Sequence, residues 1–89
     1  MSTHTSHPDI IKRLKRAEGH LRSIIAMMET GRACLDVAQQ LQAVESAVGN
    51  AKRVLIHDHI DHCLDHVMQG DGKDSAEAVR EFKEITKYL

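Results

Sequence analysis

The sequence predicts an all-α protein of three helices, short, long and short, that pack through self-association into bundles. Three observations carry this. Apolar residues recur at alternating steps of three and four over most of the chain, the repeat of one helix face. The 89 residues include one Phe, one Tyr and no Trp, so the core must come from Ile, Leu, Val, Ala and Met, which suits interlocking helices better than a sandwich. Breakers are few: the single Pro is residue 8, and glycines fall at 31, 70 and 72 where helices would end. A chain this short is one domain, 1–89, with only a modest core of its own, so association with further copies is expected from size alone.

Residues 1–7, MSTHTSH, are polar and aperiodic and read as a flexible arm carrying His4 and His7. Ser6 to Asp9 has the composition of a helix start, with Pro8 where its missing N–H costs nothing and Asp9 beside the positive end of the helix dipole. Ile10, Leu14, Ala17, Leu21, Ile24 and Met28 then form one continuous seam, and Gly31 is a natural stop. The second helix begins between Ala33 and Asp36. Its seam, Leu41, Val44, Val48, Ala51 and Leu55, passes into a second stripe of Ile56, Ile60, Cys63 and Val67, with no break before Gly70. Such a helix exceeds 30 residues, longer than an isolated monomer of this size can cover. Gly70, Asp71 and Gly72 end it. Asp74 with Glu77 reads as a capping box for a third helix that ends near Tyr88, with Ala78, Val79, Phe82 and Ile85 on its seam.

No apolar run approaches a membrane span, which points to a cytoplasmic protein. Two cysteines in a reducing compartment are metal ligands or reactive thiols more often than a bridge. The net charge of −1 conceals an asymmetry: residues 1–33 carry six basic and three acidic groups, residues 64–89 four and six. A polyanion would therefore meet the first third of the chain.

Chemistry concentrates in residues 56–67, IHDHIDHCLDHV, which hold four of the seven histidines and one of the two cysteines. On a helix, His59 and Cys63 stand one turn apart on one face, the spacing of metal ligands, and imidazole with thiolate suits borderline-soft metals and monovalent copper. His62 and His66 are offset from the pair and suit a supporting role; His57 faces elsewhere. Cys34 lies 29 residues before Cys63 on the same helix, roughly 43 Å away at 1.5 Å per residue. Within one chain the two cannot meet. Cys34 alone would also be compatible with a buried small hydrophobe. The alternative is two copies of the second helix lying antiparallel about Val48 and Gly49, so that Cys34 of one faces His59 and Cys63 of the other in two symmetric sites. Three donors would serve Cu(I); a further nitrogen from the arm would serve Ni(II) or Co(II).

Lys12, Arg13, Lys15 and Arg16 flank the seam of the first helix, and Lys52 and Arg53 sit halfway along the second. Such a run is also what a solvated face looks like. Repeated by symmetry it would form a band able to grip duplex phosphates. No interleaved aromatics favour single strands, and no helix-turn-helix or zinc-finger spacing is visible, so shape readout is expected.

Residues 13–24 (RLKRAEGHLRSI), 34–44 (CLDVAQQLQAV) and 52–64 (KRVLIHDHIDHCL) together resemble the CsoR/RcnR family of bacterial metal-sensing repressors. The resemblance implies a disc-shaped tetramer, a dimer of four-helix-bundle dimers, that binds double-stranded operator DNA without metal and releases it when metal binds, controlling efflux genes. By position it implies Cys34, His59 and Cys63 as metal ligands, Glu81 as a carboxylate supporting the site, and Arg13, Lys15, Arg16 and Arg53 as DNA contacts; it puts the extra ligand of nickel and cobalt members in the N-terminal region, near Ser2, where His4 or His7 would serve. Ala33 stands where copper sensors often have Tyr. With the histidine-bearing arm and the DHIDHC segment, this favours Ni(II) or Co(II), with Cu(I) as the alternative. Formaldehyde-sensing relatives need an N-terminal Pro and persulfide-sensing ones lack the histidine, so neither pattern fits. A cytosolic metal carrier or store would explain the ligands but not the basic face. An enzyme is not expected, since no nucleophile and base pattern or phosphate loop is present.

Overall fold

The computed structural model describes residues 6–68 and 72–89. They form α1 (His7–Glu29), α2 (Cys34–Met68) and α3 (Gly72–Ile85), followed by a single 3₁₀ turn, Thr86–Tyr88. His4, Gly70 and Asp71 lie outside the described residues, as do the side chains of His66, Val67 and Asp74.

Pro8 occupies the first turn of α1, and Asp9 turns back to pair with Arg13 at 3.0 Å. Ser6 makes no side-chain cap; its carbonyl accepts from the Ile10 N–H at 2.9 Å. The far end of α1 closes with a Schellman pattern, Gly31 N–H to the Met28 carbonyl and Arg32 N–H to the Met27 carbonyl. Gly31 has φ of 78°, the left-handed conformation that only glycine adopts without strain. The turn sends α2 back along α1, and α2 then runs 35 residues without interruption. α3 starts three residues earlier than a cap at Asp74 would place it.

The seam expected on α1 divides into two columns. Ile10, Ala17 and Ile24 are buried, while Leu14, Leu21 and Met28 remain 45%, 41% and 63% exposed. The same happens on α2, where Val37, Val44 and Ala51 are buried and Leu41, Val48 and Leu55 are not. Each set steps by seven residues, so each helix turns one column toward its hairpin partner and the other outward. Ile24, Val37 and Val44 form the inner cluster, with Met27 against it. Farther along, Ile56, Cys63 and Ala78 are buried where α3 folds back on α2.

The molecule measures 59 × 23 × 13 Å, with a radius of gyration of 18.0 Å, against about 12 Å for a compact globule of this length. It is a plate one helix thick. One layer buries one stripe per helix and leaves the second without a partner in the chain.

Candidate metal centre and nucleic-acid face

An imidazole and a thiol one turn apart on α2 acquire a third donor because α3 packs across that turn. His59, Cys63 and Glu81 bring one ligand atom each within 4.8 Å of one another. His59 Nε2 lies 3.3 Å from Glu81 Oε2. Cys63 is 1% exposed, whereas His59 is partly buried and about half of the Glu81 side chain faces solvent. The site thus has a dry thiol floor and a wet carboxylate rim. Burial, and then the negative charge of Glu81, push the Cys63 thiol above its ordinary value of 9.0, so loading a metal there must displace a proton. A nitrogen, a sulfur and an oxygen converging at this spacing fit a transition-metal ion by their chemistry.

The remaining expected ligands fall elsewhere. Cys34 opens α2, at the opposite end of the helix from Cys63, and is exposed within the single chain. His7 opens α1. His62 is half-buried one turn from Asp58, and His57 is exposed. Glu81 stands 18 residues beyond Cys63 in sequence, and no local spacing announces its arrival beside His59.

The basic residues separate into two groups. Arg13, Arg16 and His20 line a cleft between α1 and α2 together with Asn50, and Arg53 donates to Asn50 Oδ1 at its edge. Lys12 and Lys15 lie roughly 100° and 160° around α1 from Arg13, and Lys52 a similar way around α2 from Asn50, on the pitch of an α-helix. All three are exposed. Arg32 and Arg22 are engaged in exposed pairs with Asp36 at 3.6 Å and Glu18 at 3.8 Å. His20 was not singled out by spacing; its Nε2 meets Gln40 Oε1 at 2.6 Å, tying α1 to α2. Among the described residues no helix is long and apolar enough to cross a membrane.

Comparison with known proteins matches the arrangement. Residues 6–88 fit the family model for metal-sensitive transcriptional repressors. The chain is 41% identical over 80 residues to the copper-sensing transcriptional repressor CsoR of Bacillus subtilis (strain 168), covering 88% of this chain and 79% of that one. It is 40% identical over 78 residues to the protein of the same description from Mycobacterium ulcerans (strain Agy99), covering 88% of this chain and 65% of the longer relative. Among solved structures, the nickel-responsive transcriptional regulator InrS superposes with a TM-score of 0.83 at 27% identity, over 100% of this chain and 99% of that one. With its all-helical fold and these matches, the chain belongs to the CsoR/RcnR family of metal-sensing transcriptional repressors and is not an enzyme.

Proposed function

We propose that this chain, acting in the cytoplasm as one domain over residues 1–89, holds double-stranded operator DNA when metal-free and lets go on binding Ni(II) or Co(II), so controlling metal-efflux genes. The observation that carries the reading is the convergence of His59, Cys63 and Glu81 within 4.8 Å. A carboxylate oxygen beside imidazole and thiol suits a divalent ion better than monovalent copper. The histidines of the arm and Ala33 point the same way.

The site is completed by a second copy. The outward column Leu41, Val48 and Leu55 is symmetric about Val48, so two α2 helices lying antiparallel would stack Leu41 of one on Leu55 of the other. Cys34, fourteen positions before Val48, then falls level with His62, fourteen after it, between His59 and Cys63. Cys34, His59 and Cys63 form the metal-binding core in this arrangement, with Glu81 and His62 beside it. The antiparallel course of α1 along α2 sets His7, at the start of α1, toward the same end, and His7 or His4 would supply the extra nitrogen for a divalent ion. Lys12, Arg13, Lys15, Arg16, Lys52 and Arg53 supply the DNA-facing charge, and pairing of dimers into a tetramer extends it. Bound metal would supply a positive charge that holds the two thiolates and the imidazole together.

A second reading, Cu(I), is favoured by one observation: curated relatives at 41% and 40% identity are named copper-sensing. Cys34, His59 and Cys63 without Glu81 are the thiolate-rich trio such an ion accepts.

The shared site is tested by mixing subunits. C34A and C63A variants alone should each lose stoichiometric metal binding. Co-refolded in equal amounts, half of the dimers are mixed and each has one intact site, so binding should return to about a quarter of wild type. No recovery, or full binding by C34A alone, overturns it. Gel shifts with promoter DNA and each metal then check the direction of release.

A further inference from the structure

We propose that the cleft between α1 and α2 seats a single phosphate of the DNA backbone, and that Asn50, an uncharged residue, makes a direct contact to it alongside Arg13 and Arg16. The inference rests on the DNA-binding reading and deepens it. The cleft encloses about 460 Å³, room for one sugar-phosphate unit. Two small residues line it, Ala17, which is buried, and Ala47, which is exposed, so no bulky side chain of theirs holds an oxyanion away from the walls.

Two of the donors are held by bonds at the cleft, one of them to Asp9, which also lines it. Asp9 takes the Arg13 Nε at 3.0 Å, which leaves both terminal nitrogens of that guanidinium for another acceptor. Arg53 donates to Asn50 Oδ1, so the amide oxygen is used and its NH₂ is left as a donor. Among the described residues Arg16 has no acidic partner. At the end of the cleft His20 is tied to Gln40 across the two helices at 2.6 Å, which fixes the distance between the walls. Arg13 is offset by Asp9, so Arg16 and Arg53 supply the net positive charge and Asn50 supplies direction. The two non-bridging oxygens of a backbone phosphodiester can accept from two guanidinium groups and an amide N–H together, and a duplex presents such groups in a continuous row, which a lone carboxylate of a partner protein does not.

The test uses full-length protein and a fluorescent random-sequence duplex of about 30 base pairs, because phosphate contacts ignore sequence. Affinity is measured by anisotropy across a salt series. N50A should weaken binding by about tenfold at unchanged salt slope, as a lost neutral donor to a charged group does, and N50D should weaken it further. R16A should lower the slope by about 0.9, one released counterion. The R16A/N50A double variant should lose less than the sum of the two, since both act on one phosphate. Unchanged thermal melting and metal stoichiometry in N50A establish that Asn50 does not act through folding. Wild-type protein that ignores every duplex at low salt overturns the DNA reading itself. Wild-type binding with N50D equal to it, or with R16A at an unchanged slope, overturns the phosphate seat and leaves the repressor reading standing.

Discussion

Replacing Glu81 by Gln should shift the metal preference of the protein toward Cu(I). The amide oxygen of Gln can still accept from His59 Nε2, 3.3 Å from the carboxylate in the native chain, so the substitution removes charge and keeps the bond. Loading the site at neutral pH removes thiol protons and adds an ion. For the same thiols, a divalent ion leaves the site one positive charge richer than Cu(I) does. Glu81 therefore favours the divalent ion over Cu(I) by the attraction of one unit charge. At 4.8 Å, the outer distance among these donors, that attraction is about 0.9 kcal/mol in water-like surroundings. The water value applies because about half of the Glu81 side chain is exposed. The ratio of Ni(II) to Cu(I) affinity in E81Q should thus fall by about fourfold, however many thiolates take part. Competition titrations against chromophoric chelators at one pH and ionic strength give both affinities. A ratio that stays fixed, or moves toward Ni(II), would show that Glu81 does not face the bound ion.

Three further outcomes follow from the packing. Ile24 is 2% exposed and central to the cluster with Val37 and Val44, so I24A should cost about 2–4 kcal/mol in chemical denaturation; a loss under 1 kcal/mol would mean that this column is not a core. Val48, 41% exposed and midway along the outward column, becomes a buried unpaired charge in V48D if two α2 helices meet there, and sedimentation should then find monomers; an unchanged assembly places the interface elsewhere. The Cys63 thiol is held above 9.0 by burial and by Glu81, so the folded chain binds that proton more tightly than the unfolded one. Its stabilisation is complete below pH 9 and fades as pH rises toward the raised value. Metal-free wild type should lose stability faster than C63A does as pH rises above about 9, and parallel curves would contradict the shift.

The two ends of α1 were written plainly in this sequence. Pro8 and Gly31 act through backbone geometry that needs no partner, and both sit where local rules put them. The His59 and Cys63 pair was equally legible, because one helical turn is a local distance. Glu81 beside them depends on α3 folding back on α2, a long-range event that spacing along one helix does not encode; only family resemblance pointed to it. The division of each seam was hidden for another reason. Leu14 and Ala17 are both apolar and both fit one broad stripe, and the hairpin's angle, set by the Gly31 turn, decides which of them faces α2. Val37 went unremarked because the seam of α2 was anchored at Leu41, on the outward column. The tie from His20 to Gln40 needs the register of α1 on α2, which periodicity leaves free.

The unbroken course of α2 has a mechanical consequence. No proline or glycine pair interrupts residues 34–68, and the stretch that carries Asn50 and Arg53 sits midway between Cys34 at one tip and Cys63 near the other. With no joint to absorb motion, a rotation imposed at either tip must be carried to the middle as a turn of the whole shaft. Over half of its roughly 52 Å length, a tilt of two or three degrees already displaces a guanidinium by about 1 Å, and an ångström is enough to spoil a hydrogen bond.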